Sequence, residues 1–110
     1  MKTDYHAIIV GAGPAGSTAA ILLASAGWSV ALIEKQTFPR RKVCGACIGA
    51  SNLPLLTALG IGGTFHKLAG PELRKVAVYC GDRVVAAPLP AVPNARHPWG
   101  RALGRESFDT

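Results

Sequence analysis

The chain has 110 residues, enough for one small domain, and its 13 glycines and 8 prolines exceed ordinary use without a repeat, which excludes a fibrous chain. Twelve basic against six acidic residues give a formal charge of +6, compatible with a cofactor pyrophosphate or an anionic substrate. Nucleic-acid binding is not expected, because the arginines form no dense basic tail and no aromatic residues interleave with them.

No window of about eighteen continuous apolar residues exists, so no transmembrane anchor is expected in these residues. The polar start Met1-Lys2-Thr3-Asp4 ahead of a short apolar run is wrong for a cleaved signal peptide, and a soluble, cytoplasmic protein is the expectation. Cys44, Cys47 and Cys80 make an odd number, which fits reduced thiols better than a disulfide framework.

In chain order, Tyr5 to Val10 reads as a largely buried strand, since Ala7-Ile8-Ile9-Val10 is an unbroken apolar run ending at a glycine turn. His6 is expected to be a hydrogen-bonded strand-end residue rather than a metal ligand, and no metal site is expected. Pro14 suits a first helical turn, and Ala15 to Ala26 carries helix formers with an apolar stripe through Ala19, Leu22, Leu23 and Ala26. Gly27 supplies the stop, and Trp28 to Ile33, ending in Glu34, is the second strand.

From Lys35 to Gly49 the sequence is too rich in glycine, proline and charge for a long regular element, and it predicts a loop that opens a helix near Gly49. Ser51 or Asn52 can cap a short helix from Leu53 to Leu59, with Pro54 in its first turn and Gly60 ending it. The glycines at 60, 62 and 63 then read as a flexible connection. Leu73 to Cys80 and Arg83 to Ala87, joined at Gly81-Asp82, predict a β-hairpin. Pro88, Pro90, Pro93 and Pro98 break up the segment after the hairpin, and Gly104 to Thr110 reads as the start of a helix.

The spacing of the first forty residues carries the chemistry. Gly11-Ala12-Gly13-Pro14-Ala15-Gly16 is a GxGxxG turn between a strand and a helix, within a βαβ unit of about thirty residues. Gly11 permits the sharp turn, Gly13 removes a side chain where a pyrophosphate must approach the backbone, and Gly16 lets the helix lie close to the sheet. Backbone N–H groups of the turn, Pro14 excepted, then face the phosphates at the positive end of the helix dipole. Glu34 at the end of the second strand can accept hydrogen bonds from both hydroxyls of an adenosine ribose and would repel a 2′-phosphate. FAD or NAD is therefore favoured over NADP at this position.

The residues Val10-Gly11-Ala12-Gly13-Pro14-Ala15-Gly16 with Ala20, then Leu32-Ile33-Glu34-Lys35, then Phe38-Pro39-Arg40 through Lys42 and Cys44-Gly45, resemble the amino-terminal part of the FAD-dependent geranylgeranyl reductase, aromatic hydroxylase and flavin halogenase superfamily. The tail Arg101-Ala102-Leu103-Gly104-Arg105-Glu106-Ser107-Phe108-Asp109 resembles the family segment that opens a helix. The resemblance implies a flavoprotein whose FAD site draws on Gly11, Gly13, Pro14, Ala15, Gly16, Glu34, Lys35, Arg40, Arg41, Cys44, Gly45 and Arg105. Of the loop arginines, Arg40 is favoured over Arg41 as the one that approaches the cofactor. The Cys44-Gly45-Ala46-Cys47 spacing allows a redox dithiol, but Cys44 belongs to the family-like Cys-Gly element, and this reading is disfavoured.

The implied activity is that of an FAD-dependent oxidoreductase in which NADPH or NADH reduces FAD and hydride passes to a carbon–carbon double bond of an apolar, isoprenoid-like small molecule. The alternatives are a monooxygenase or halogenase that uses reduced FAD with oxygen, and a non-catalytic FAD-binding or electron-carrier subunit. No residue is singled out as catalytic, the oligomeric state is open, and peripheral membrane contact is compatible with an apolar substrate. The expected fold is α/β: a Rossmann-like FAD-binding βαβ unit with the start of an antiparallel, substrate-facing sheet, forming a piece of a larger protein. Residues 1–70 are assigned to the FAD-binding domain, 71–100 to the substrate-facing β region and 101–110 to a helix returning to the FAD domain.

Overall fold

A computed structural model describes residues 4–110. They form two compact units, one made of the chain up to Val43 together with Arg105–Thr110, the other of Cys44–Gly104. This division follows packing and breaks at different points from the assignment by role at residues 70 and 100.

The first unit is a parallel β-α-β crossover. Strand β1 (Ala7–Val10) pairs in parallel with β2 (Val30–Ile33), in the register Ala7 with Val30 through Val10 with Ile33, and helix α1 (Pro14–Ser25) connects them. Short apolar β-branched runs form the strands because side chains alternate across the sheet while the backbone ladder closes between them. Helix α1 starts at Pro14, whose missing N–H falls where no intrahelical bond is needed, and the chain leaves it through Gly27 at φ +86°.

Two expectations are corrected in this unit. Strand β1 is not largely buried: Ile8 and Val10 are 63% and 82% exposed, and coverage alternates along the strand. The cause is that α1 covers only one face, the one bearing Ile9. The apolar stripe of α1 is likewise only partly covered, with Ala19 and Leu23 half-buried, Leu22 and Ala26 exposed, and no helix residue fully buried. His6 precedes β1 as a hydrogen-bonded residue: its Nδ1 accepts from the Ser29 amide at 2.9 Å, and its ring stands edge-on to Trp28.

The second unit holds the larger core. Strand β3 (Cys47–Ile48) opens it, a single 3-10 turn at Ala50–Asn52 leads into α2 (Leu53–Ala58), and α3 (Gly62–Leu68) follows. Leu53, Leu56, Phe65 and Leu103 are buried. Hairpin strands β4 (Lys75–Cys80) and β5 (Arg83–Pro88) pair antiparallel from Lys75 with Pro88 to Cys80 with Arg83 across Gly81-Asp82, and Gly81 adopts φ +56°. Strand β6 (Arg101–Ala102) pairs antiparallel with β3.

The glycines at 60, 62 and 63 do not form a flexible connection. Gly60 turns the chain at φ +81°, and Gly62 and Gly63 are the first two residues of α3. Burial of Phe65 and Gly62 against α2 outweighs the helix penalty of glycine, which is about 1 kcal/mol per residue. Neither Ser51 nor Asn52 caps α2 through its side chain, because the 3-10 turn keeps Asn52 helical and moves the true entry back to extended Gly49. Among the described residues no helix is long and apolar enough to cross a membrane.

Candidate functional site

The site is built in the first unit, where β1 ends in the glycine turn. Gly11 takes φ +105°, a conformation that side chains oppose, and its amide donates to the Ile33 carbonyl at 2.7 Å, fastening the turn to β2. A Cβ on Gly16 would run into the Gly11 carbonyl oxygen and crowd Ile9, so the close approach of α1 to β1 requires glycine there. Gly13 precedes the helix in extended conformation, and Pro14, Ala15 and Gly16 form its first turn.

The carboxylate of Glu34 lies beneath this turn. Its Oε2 accepts from the Ala12 amide at 3.0 Å and from Arg40 Nη2 at 3.2 Å, while Oε1 accepts from the Gln36 amide at 3.0 Å. The two backbone amides lead, with Arg40 adding to them, in holding the Glu34 pKa down at about 2, against 4.5 ordinarily. Three bonds leave acceptor capacity on a carboxylate that has about four lone-pair positions.

Arg40 is the buried cation of the site, 7% exposed. Besides Glu34 it donates through Nη1 to Asp109 Oδ2 at 2.7 Å, and its guanidinium lies 4.8 Å from the centre of the Phe38 ring. Asp109 also accepts at Oδ1 from Arg105 Nε at 2.7 Å, one turn apart at the end of α4 (Arg105–Phe108). Two arginines and two carboxylates thus form one neutral, largely buried network. Burying a charge in such a place requires this double pairing.

The network ends against bare backbone. A Cβ placed on Gly13 would sit 3.3 Å from Arg105 Nη2 and 3.9 Å from Arg40 Nη2, so the absent side chain keeps open a strip of main chain flanked by two guanidiniums. Arg40 Nε is buried and has no hydrogen-bond partner among the described residues. Helix N-terminal amides beside two guanidiniums and a spare buried donor fit a diphosphate, and a carboxylate with free acceptor capacity fits a ribose. The residues present therefore fit an adenine dinucleotide.

The geometry treats the other expected residues differently. Arg41 points to solvent and pairs with Glu106 at 2.6 Å, and Lys35 is exposed. Cys44 and Gly45 belong to the second unit, where both are exposed, and Cys44, Cys47 and Cys80 are free thiols. Asp109 is the residue that sequence reasoning did not assign. Its signal was the Phe108-Asp109 pair in the family-like tail.

Residues 4–98 match the family described as FAD binding domain, and the chain belongs to it. Among curated proteins the chain is 34% identical over 111 residues to menaquinone reductase of Mycobacterium tuberculosis, covering 99% of this chain and 26% of that protein. It is 49% identical over 60 residues to tryptophan 2-halogenase of Chondromyces crocatus, covering 54% of this chain and 11% of the relative. Among solved structures it superposes on the flavin-dependent brominase Bmp2 with a TM-score of 0.68 and 28% identity, over 96% of this chain and 25% of that one. The chain spans about a quarter of the length of the menaquinone reductase it matches.

Proposed function

We propose that this chain supplies the FAD-binding end of a flavin-dependent oxidoreductase of the oxygen-using kind, a monooxygenase or halogenase, with NADPH or NADH as electron donor and an apolar small molecule as substrate. The observation that carries the FAD assignment is the strip of backbone at Gly13 flanked by Arg40 and Arg105 above the Glu34 carboxylate. The oxygen branch is supported by the likeness to tryptophan 2-halogenase and to the brominase, which favours it over hydride delivery to an isoprenoid double bond.

Within this reading the amides that follow Gly13 and the two guanidiniums hold the diphosphate, and Glu34 holds the ribose. Asp109 acts through Arg40 and Arg105, fixing both guanidiniums while cancelling their charge. Lys35, exposed next to Glu34 in the same unit, is a further proposed contact. FAD held by these residues would supply the redox chemistry that links the pyridine nucleotide to dioxygen.

A second reading, direct reduction of the substrate, is favoured by the match to menaquinone reductase along almost the whole chain. The two are separated with the FAD-loaded protein reduced by dithionite under nitrogen. The oxygen reading expects that under nitrogen menaquinone keeps all its side-chain double bonds, and that air with bromide and phenol yields bromophenol or hydroxylated phenol. Anaerobic gain of two hydrogens across a menaquinone side-chain double bond, read by mass, overturns it. Failure of the protein to bind FAD overturns both.

A further inference from the structure

The second unit holds a cavity of about 630 Å³ between α2, α3 and the segment 92–97. That volume lies within the range of small-molecule sites. Its lining includes Arg96, His66 and His97 together with the apolar residues Leu53, Pro54 and Val92, and no carboxylate lines it.

The two imidazoles stack with ring centres 4.0 Å apart and planes tilted by 37°. Among the described residues neither ring is engaged in a side-chain hydrogen bond and Arg96 has no ion-pair partner. Two other arginines of this unit are committed: Arg101 donates to the Gly70 and Ala69 carbonyls, and Arg74 pairs with Glu72 and lies over the Trp99 ring. Burial, with the nearby cationic charge of His97, Arg101 and Arg96, lowers the His66 pKa from its ordinary value.

A group of this composition repels cations. No set of three or more His, Cys, Asp or Glu converges among the described residues, which argues against a metal. What it offers is one unspent guanidinium, two imidazoles able to donate, and apolar surface within the same cavity. We infer that this cavity is a binding site for a small apolar molecule bearing a carboxylate, with Arg96 as the charge partner, His66 and His97 as donors and Leu53, Pro54 and Val92 as the wall for its hydrocarbon part. The inference does not depend on the flavin assignment.

Benzoate is the probe, with benzamide as its neutral counterpart. Titrated into the 110-residue chain while the imidazole proton resonances are followed by NMR, benzoate is expected to shift His66 and His97 saturably, and benzamide to leave them in place. Arg96→Gln should weaken benzoate binding about tenfold or more, as for loss of a charged hydrogen bond, and Arg96→Lys should retain most of it. Arg96 is exposed, so neither substitution threatens the core. Equal shifts with benzamide, unchanged benzoate affinity in Arg96→Gln, or no imidazole response to benzoate would each overturn the inference.

Discussion

Asp109 Oδ2 accepts a 2.7 Å hydrogen bond from Nη1 of Arg40, a residue 69 positions earlier in the chain. The Asp109 side chain is fully buried and that of Arg40 is 5% exposed, so each charge depends on the other. Asp109→Ala leaves Arg40 with Glu34 alone and removes the partner of Arg105 Nε. Breaking a buried pair on one side costs about 3 to 5 kcal/mol. Urea denaturation should show a loss of this size, and a loss under about 1 kcal/mol would mean that the network does not hold the unit together.

The glycines of the turn separate folding from binding. Gly16→Ala forces a methyl group into the Gly11 carbonyl, which only a shift of α1 relieves, at about 1 to 3 kcal/mol or more. Gly13→Ala meets the end of the Arg105 side chain, which can move aside, so thermal stability should stay close to that of the parent. Its FAD affinity should fall about tenfold or more, because the methyl group occupies the strip proposed for the diphosphate. Flavin fluorescence titration of both variants checks the contrast, and parental affinity in Gly13→Ala would remove the diphosphate from this place.

The Glu34 pKa, lowered to about 2 from 4.5, makes a prediction about acid. A carboxylate whose folded value lies below its unfolded value contributes stability that is complete above the unfolded value and is lost as pH falls through the folded one. Denaturation midpoints measured from pH 6 to pH 2 should therefore decline between about 4.5 and 2. Glu34→Gln should remove Glu34's share of that decline. An identical acid profile for the variant would show that Glu34 is not held in its charged form by the Ala12 and Gln36 amides.

Gly62→Ala sets helix propensity against packing. Alanine gains about 1 kcal/mol over glycine in a helix. Its Cβ would stand 2.7 Å from Thr57 Oγ1 and 3.0 Å from Thr57 Cα, and the backbone contact has no easy escape. Packing should win, with a net loss of about 1 to 2 kcal/mol in urea denaturation. A gain in stability would show that α2 and α3 can separate at little cost.

The sharp turn at Gly11 and the close helix approach at Gly16 were legible because each depends on a local conformation or on a spacing that a strand, a turn and a helix fix among themselves. Helix α3 was not legible, since Gly62-Gly63 argues locally against a helix and only the close packing on Thr57 and the burial of Phe65 explain why one forms. Asp109 escaped assignment for a different reason. Its partner Arg40 is brought to it by the return of the chain, and no periodicity connects residues so far apart. The exposure of Ile8 and Val10 was also hidden, because an unbroken apolar run looks the same whether one face of its sheet is covered or both.

Glu34 binds the Ala12 amide with the same oxygen that receives Arg40. The sugar recognition proposed for Glu34 and the shape of the glycine turn are thus hinged on a single side chain, and neither can be retuned alone. Exchanging this carboxylate for a neutral or cationic group, the obvious first step toward a phosphorylated ribose, would also unmoor the loop above it and leave Arg40 with Asp109 as its one remaining carboxylate partner. A change of nucleotide preference here calls for a second, compensating substitution that anchors the Ala12 amide afresh.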